Sequence, residues 1–254
     1  MKNLRIVGLN LDIIWKSKSE NFKQIEQAFL NENGDVFMLP EMFSTGFCME
    51  PDQIADQNEE SLSWMKSFSK KKNAAIVGSA AVKEGEYYFN RMYFVEPSGK
   101  VTHYDKRHLF SYASEDKVYS PGNKRVIVDY KGFRILLQVC YDLRFPVFSR
   151  NKEDYDLALY VANWPEKRVD AWLSLLKARA IENQAYVLGL NRIGSDPSGL
   201  HYIESSRGFF PDGSEISNKV GNLINWEISL EKLENFKARF SFFEDRDSFT
   251  VLDS

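Results

Sequence analysis

The sequence predicts one compact α/β domain built on a mixed sheet or on two sheets. Three observations carry that expectation. Short apolar, β-branched runs alternate with segments of helical spacing, antiparallel hairpin signals interrupt the alternation, and no repeat, low-complexity stretch or Gly/Ser linker divides the 254 residues. A chain of this length buries a sizeable core in one domain, so residues 1–254 are expected to form a single unit.

Taken in order, residues 4–10 read as an opening strand and residues 20–30 as a helix, with Phe22, Ile25, Phe29 and Leu30 at helical spacing. Ser19 is the expected cap and Asn33-Gly34 the stop. Asp35-Val-Phe-Met-Leu39 is a strand closed by Pro40, and Glu41 follows at once. Residues 59–72 form an amphipathic helix with Leu62, Met65 and Phe68 inward, and residues 74–82 a strand of small residues. Residues 87–96 and 101–105 flank the turn Pro97-Ser-Gly-Lys100, and Lys106 comes directly after. Residues 111–123 read as irregular and contain Glu115. A second hairpin joins residues 124–130 to 133–139 around Lys131-Gly132.

Residues 156–162 are a strand ending at Asn163-Trp-Pro165. Residues 168–183 are the clearest helix, with Trp172, Leu175, Leu176, Ala180 and Ile181 on or near one face. A strand at 185–190, a loop at 194–199, paired short strands around Pro211-Asp-Gly213, a strand at 220–228 and a short helix at 230–237 complete the core. The tail, residues 238–254, holds Phe240, Phe242, Phe243 and Phe249. It is too apolar for a free linker and is expected to pack on the domain or on a partner subunit.

The stretch around which the rest is organised is Ile135-Leu-Leu-Gln-Val-Cys-Tyr-Asp-Leu-Arg-Phe-Pro146. A buried strand runs straight into a thiol, Cys140. A rigid strand end can present a nucleophile at the rim of a sheet, although free cysteine more often simply fills space. Glu41 and Lys106 also follow strands. Each alone fits a solvated charge; together, a thiol, a carboxylate and an ammonium at three strand ends can converge on one rim, where α/β sheets place their ligands.

Composition excludes several classes. A net charge of −3 leaves no electrostatic footprint for nucleic acid, and no apolar run is long enough to span a bilayer. Two cysteines, Cys48 and Cys140, do not make a disulfide framework and point to a reducing cytoplasm. The three histidines, His103, His108 and His201, show no metal-ligand spacing.

Leu39-Pro-Glu-Met-Phe43, Tyr104-Asp-Lys-Arg-His-Leu-Phe110 and Val139-Cys-Tyr-Asp-Leu-Arg-Phe-Pro146 resemble the three signature blocks of the nitrilase superfamily of carbon–nitrogen hydrolases. Ser120-Pro-Gly122, Ala162-Asn-Trp-Pro165 and Arg179-Ala-Ile-Glu-Asn183 resemble further blocks in the same order, and within the superfamily the chain is most similar to the omega-amidase branch. The resemblance implies a four-layer α-β-β-α sandwich, a homodimer, no metal or organic cofactor, and a Glu-Lys-Cys triad of Glu41, Lys106 and Cys140 with Glu115 as a second glutamate. It implies hydrolysis of the terminal amide of a short dicarboxylic or 2-oxo dicarboxylic acid through a thioester. Glu41 would serve as base and acid, and Lys106 with the Tyr141 N–H would hold the oxyanion. Arg144 is the candidate partner of a substrate carboxylate, with Tyr141 and Trp164 supplying a hydroxyl and a flat wall; the competing reading pairs Arg144 with Asp142 or another acid to brace the loop. The residues also admit a papain-like pair of Cys140 with His108 or His103, nitrile or N-carbamoyl hydrolysis on the same scaffold, and a non-catalytic binding protein. Cys48 reads as packing.

Overall fold

The computed structural model describes residues 2–250. The first half of the chain builds one sheet from β1 (Asn3–Leu9), β2 (Val36–Met38), β3 (Ala75–Glu84), β4 (Tyr87–Val95) and β5 (Val101–Asp105). Three helices lie between its strands: α1 (Lys18–Ala28), the single turn α2 (Pro51–Ile54) and α3 (Glu60–Lys72). After the single turn α4 (Glu115–Val118), the second half runs through β6 (Ile127–Tyr130), β7 (Phe133–Val139), α5 (Pro146–Ser149), β8 (Leu157–Ala162), α6 (Val169–Asn183) and β9 (Tyr186–Asn191). A small hairpin, β10 (Gly194–Ser195) and β11 (His201–Tyr202), precedes β12 (Arg207–Phe209), β13 (Asn218–Val220), β14 (Leu223–Ser229) and α7 (Leu230–Arg239).

The strands form a seven-stranded sheet, ordered β13-β14-β1-β2-β3-β4-β5, and a five-stranded sheet, ordered β12-β9-β8-β7-β6. Central pairs are parallel (β1–β2, β2–β3, β7–β8, β8–β9) and the margins antiparallel. Period-two patterning divides β1, β2, β3 and β4 between two cores. Ile6, Val36, Met38, Val77, Met92 and Phe94 face the five-stranded sheet, whereas Val7, Phe37, Ile76 and Val95 pack under Ile25 of α1, Phe29 just past its end, and Met65 and Phe68 of α3. On the far side, α6 presses Trp172, Leu176 and Ala180 onto the five-stranded sheet. It lies so close that a Cβ on Gly189 would meet Leu176 Cδ1 at 2.4 Å, which explains a glycine inside a central strand. The layer order is therefore α-β-β-α, and both sheets direct their central strand ends toward one rim.

Several local expectations fail for identifiable reasons. Ser19 lies inside α1, and Ser17 at the cap position makes no side-chain bond. The entry is held instead by Asn21, whose carboxamide accepts from Ile14 N (2.8 Å) and donates to Ile14 O (2.7 Å) and Ser44 O (2.9 Å). The helix ends at Ala28, before Asn33-Gly34, because the Lys72 ammonium donates to the carbonyls of Phe29, Leu30 and Glu32 and so satisfies the open end. Residues 111–123 contain a 3₁₀ turn and α4. The expected loop at 194–199 opens the β10–β11 hairpin. The strands expected to pair around Pro211-Asp-Gly213 share only the bridge Phe209–Glu215; β12 pairs with β9, and β13 with β14. The strand expected from residue 220 begins at Leu223, after the turn that closes β13 onto it. Ile181 leaves the buried stripe of α6 and is 47% exposed. In the tail Phe243 is buried and Phe242 exposed, while residues 251–254 lie outside the described residues.

Candidate active site

Glu41 stands just beyond β2, Lys106 just beyond β5, Cys140 just beyond β7, and Glu115 opens α4. The fold brings all four together. The Lys106 Nζ donates to Glu41 Oε1 at 2.9 Å and to Glu115 Oε2 and Oε1 at 2.9 and 3.1 Å. Both side chains of each ion pair are fully shielded from solvent. Two buried carboxylates this close repel unless cations and donors intervene. Besides Lys106, Asn90 Nδ2 bridges them, donating to Glu41 Oε1 (2.8 Å) and Glu115 Oε1 (3.1 Å). Asn90 is oriented by Ser79 Oγ, which donates to its Oδ1 (2.8 Å). The backbone completes the set: Asn163 N donates to Glu41 Oε2 (2.8 Å) and Phe110 N to Glu115 Oε2 (2.6 Å).

These environments bias protonation. Burial opposes the Lys106 charge, yet Glu115, Glu41 and Cys140 outweigh it and hold its pKa above the ordinary range. Burial raises the Glu115 carboxyl, Lys106 pulls it back and Glu41 pushes it up again, leaving it above the usual carboxylate value. Burial, and then the Glu41 charge, push the Cys140 thiol well above a free cysteine despite the opposing ammonium. At neutral pH the thiol therefore rests protonated.

Cys140 has a φ of 46°, a conformation few non-glycine residues adopt, as β7 breaks into a 3₁₀ turn over Cys140–Arg144. Such strain, roughly 1–3 kcal/mol, persists only where the surroundings impose it. Asp142 imposes it here. Its Oδ2 accepts from Val139 N (3.0 Å) and from the Tyr104 hydroxyl (2.8 Å), and its Oδ1 accepts from His108 N (3.0 Å) and faces His108 Nδ1 at 2.7 Å. One buried carboxylate thus ties the cysteine turn to the segment that carries Lys106. This occupies Asp142 and leaves Arg144 without it. Among the described residues the hydrogen-bond contact of Cys140 Sγ is the Asn163 carbonyl at 4.0 Å. His108 is turned to Asp142 and His103 packs on Tyr93, so neither forms the papain-like pair. Cys48 is buried among Met42, Ile54 and Tyr119.

A cavity of about 280 Å³ opens over Cys140, Glu41 and Lys106. Tyr141, Arg144 and Trp164 all line it. The Arg144 guanidinium lies over the Trp164 ring at 5.0 Å. Sequence reasoning missed Arg168, which also lines the cavity and stacks over Phe110 at 5.2 Å while its carbonyl accepts from Trp164 Nε1 (2.7 Å). Asn90 and Asn163 were also missed. A polar residue inside the aromatic run Tyr87-Tyr-Phe-Asn-Arg-Met-Tyr93 was the available signal for the first, and its position in the Asn-Trp-Pro block for the second.

A family model described as carbon-nitrogen hydrolase matches residues 3–237. The chain belongs to the carbon–nitrogen hydrolase family. This hydrolase is 45% identical to the omega-amidase YafV of Escherichia coli K12, across 99% of this chain and 100% of that one. It is 32% identical to the 2-oxoglutaramate amidase of Bacillus subtilis, across 93% and 95% of the two chains. Its fold matches that of XC1258 from Xanthomonas campestris, a superfamily protein solved with an arsenic adduct in its active site, with a TM-score of 0.94 and 37% identity over 99% of this chain and 100% of that one. The chain is an enzyme of this class, and the four-layer sandwich is that of the nitrilase superfamily. Among the described residues no helix is long and apolar enough to cross a membrane.

Proposed function

We propose that this hydrolase is an omega-amidase, releasing ammonia from the terminal amide of a short dicarboxylic or 2-oxo dicarboxylic acid through a thioester on Cys140. The reading rests foremost on the buried ammonium of Lys106, held 2.9 Å from both Glu41 and Glu115 beside the strained Cys140. In this mechanism Glu41 takes the thiol proton as Sγ attacks the amide carbon. The oxyanion gathers between the Lys106 ammonium and the Tyr141 N–H. Glu41 then passes the proton to nitrogen as the C–N bond breaks, so that ammonia and not an amide anion departs. Water, its proton taken by Glu41, attacks the thioester carbonyl; the C–S bond breaks, the acid leaves and the thiolate recovers a proton. Glu115 holds Lys106 in place throughout.

The substrate's far end is read from charge. Arg144 and Arg168 both line an otherwise largely apolar cavity and, among the described residues, neither has a carboxylate partner, so both are free for an anion. The planar fork of arginine suits a carboxylate, and the substrate in the name of the 2-oxoglutaramate amidase relative carries one. The finer proposals are a cytoplasmic enzyme, consistent with its two free cysteines, and a homodimer, consistent with the exposure of Ile181 and Phe242.

Ammonia release tests the reading. Carboxylated omega-amides should be turned over far faster than neutral amides of equal length, and Arg144→Lys should raise KM for the former much more than for the latter. With a slow substrate, mass spectrometry should find the acyl group on Cys140. An adduct on Cys48, or equal losses on both substrate types, would refute the assignment of the nucleophile or of the carboxylate anchor respectively.

A further inference from the structure

We infer that Ser79 and Asn90 are a positioning pair that holds Glu41 and Glu115 as two carboxylates around Lys106, and so keeps Glu41 fit to take the Cys140 proton. The inference rests on the role of Glu41 as base and adds two buried residues that act through it.

Asn90, on β4, meets all three charged residues. Its backbone carbonyl accepts from Lys106 N at 3.0 Å. Its side-chain nitrogen donates to Glu41 Oε1 at 2.8 Å and to Glu115 Oε1 at 3.1 Å. An amide nitrogen carries two hydrogens, so both are spent on the two carboxylates. The reverse orientation would turn the amide oxygen, an acceptor, toward two anions. Ser79, on the neighbouring β3, forbids that reversal. Its Oγ accepts from Met42 N at 2.9 Å, which directs the hydroxyl proton to Asn90 Oδ1 at 2.8 Å. Met42 directly follows Glu41 and has a φ of 45°, in the left-handed region. Phe43 N donates to Ser79 O at 3.1 Å and fastens the same turn. A chain of hydrogen bonds therefore runs from the backbone behind Glu41 through Ser79 and Asn90, back to the Glu41 carboxylate and across to Glu115. Ser79 and Asn90 are both buried, where such a network is strong if complete and costly if broken.

The proton transfer needs this support. Two carboxylates and one ammonium leave a negative charge in excess, and burial already lifts the Glu115 carboxyl above the usual range. Without the two hydrogens of Asn90, the pair would bind a proton from solvent at a higher pH, and a glutamate so neutralised cannot receive one from the thiol. The groups around the pair do not titrate in its place. Lys106 and Cys140 stay protonated into the alkaline range, and burial raises Tyr119. In the cavity that Glu41 lines, burial of Asp196 is outweighed by Ser198 and Tyr202, which hold it below the usual carboxylate range, and the remaining charges are the guanidiniums of Arg144 and Arg168. His108, between Lys106 and Glu115 in the chain, is turned to Asp142. The acid limb of thiol reactivity therefore reports the two glutamates.

Alkylation of Cys140 by iodoacetamide, located by mass spectrometry and followed between pH 4 and 9, reads that limb without a substrate. Asn90→Ala should move it up by about one pH unit or more, as expected when two hydrogen bonds to charged groups are lost. Ser79→Ala keeps Asn90 in place and should move it the same way by less, and the double variant should coincide with Asn90→Ala. The acid limb of kcat/KM for ammonia release should be displaced in parallel. Limbs that stay with wild type in both single variants, whatever the loss of rate or melting temperature, would overturn the proposal, and so would a double variant displaced by the sum of the two. Should Asn90→Ala not fold, Ser79→Ala decides: an unmoved limb overturns the proposal. A wild type with no acid limb would show that Glu41 is not the base and would take the proposal with it. Displaced limbs in a protein that releases no ammonia from omega-amides would overturn the substrate reading alone and leave the roles of Ser79 and Asn90 standing.

Discussion

Replacing Lys106 by methionine removes the cation but keeps most of the volume, and its consequences follow from the contacts. The ammonium is 2.9 Å from Glu41 Oε1 and 2.9 Å from Glu115 Oε2, and all three side chains are fully buried. Without it, Asn90 and the backbone donors of Asn163 and Phe110 remain, and they carry no charge to offset two carboxylates. Breaking a buried ion pair from one side costs roughly 3–5 kcal/mol. At ~2–4 °C per kcal/mol for a domain of this size, the melting temperature should fall by roughly 6–20 °C at neutral pH. The deficit should depend on pH with a definite sign. In the variant a carboxyl, Glu115 being already raised by burial, titrates still further above its unfolded value of ~4.3. A raised acid leaves folding undisturbed below its unfolded pKa and costs stability as pH rises toward its folded pKa. The gap between wild type and Lys106→Met should therefore narrow steadily as pH is lowered from 8 toward 5. Circular dichroism melts at several pH values measure this, and ammonia release should show kcat reduced on the order of 10²–10³. A variant that melts with wild type at every pH would show that the two glutamates do not share a charged lysine. Unchanged kcat/KM would remove Lys106 from the oxyanion site.

Three other expectations come from the same structure. Because burial and Glu41 raise the Cys140 thiol, its contribution to stability is full below the unfolded value of ~8.5 and is lost as pH rises above it, so wild type should lose more stability than Cys140→Ser between about pH 8 and 10. Parallel pH profiles for the two proteins would contradict a perturbed thiol. Asp142→Asn places an amide among four donors and loosens the turn at Cys140, and kcat should fall on the order of 10² with little change in KM, as expected when a reacting atom shifts by about 1 Å; wild-type kcat in this variant would show that the brace does not position the thiol. Sedimentation at micromolar concentration should give twice the chain mass, and Ile181→Glu or Phe242→Glu should shift it toward monomer if those exposed residues lie in the contact. A wild-type monomer would dispose of the dimer.

What the sequence discloses in this protein is what strand period and strand termination record. β1, β2 and β7 are legible because each is a short apolar run, buried in the fold, and a thiol or carboxylate placed after such a run stands out against apolar neighbours. Glu41, Lys106 and Cys140 are each visible in this way, and only the folded sheets bring them together. The misreadings arise where a distant group supplies what a local signal was expected to supply. Ser19 looked like a cap, but Asn21 reaches Ile14 and Ser44 and performs that service through contacts no local pattern records. The stop at Asn33-Gly34 lost to Lys72, some forty residues further along the chain.

Arg144 shows how such a distant partner alters a functional reading. In the sequence Asp142 is its nearest acid and a natural brace for it. In the fold Asp142 is claimed by Tyr104 and His108 from the segment carrying Lys106 and by Val139 from the strand before the thiol. Arg144 is left with the face of Trp164, and Arg168 with the face of Phe110. An aromatic face steadies a guanidinium without neutralising it. Two cations steadied in this way in one cavity, where the Asp196 carboxylate is taken by Ser198 and Tyr202 and those of Glu41 and Glu115 by Lys106, are the ground for proposing a substrate with a carboxylate at the end opposite its amide.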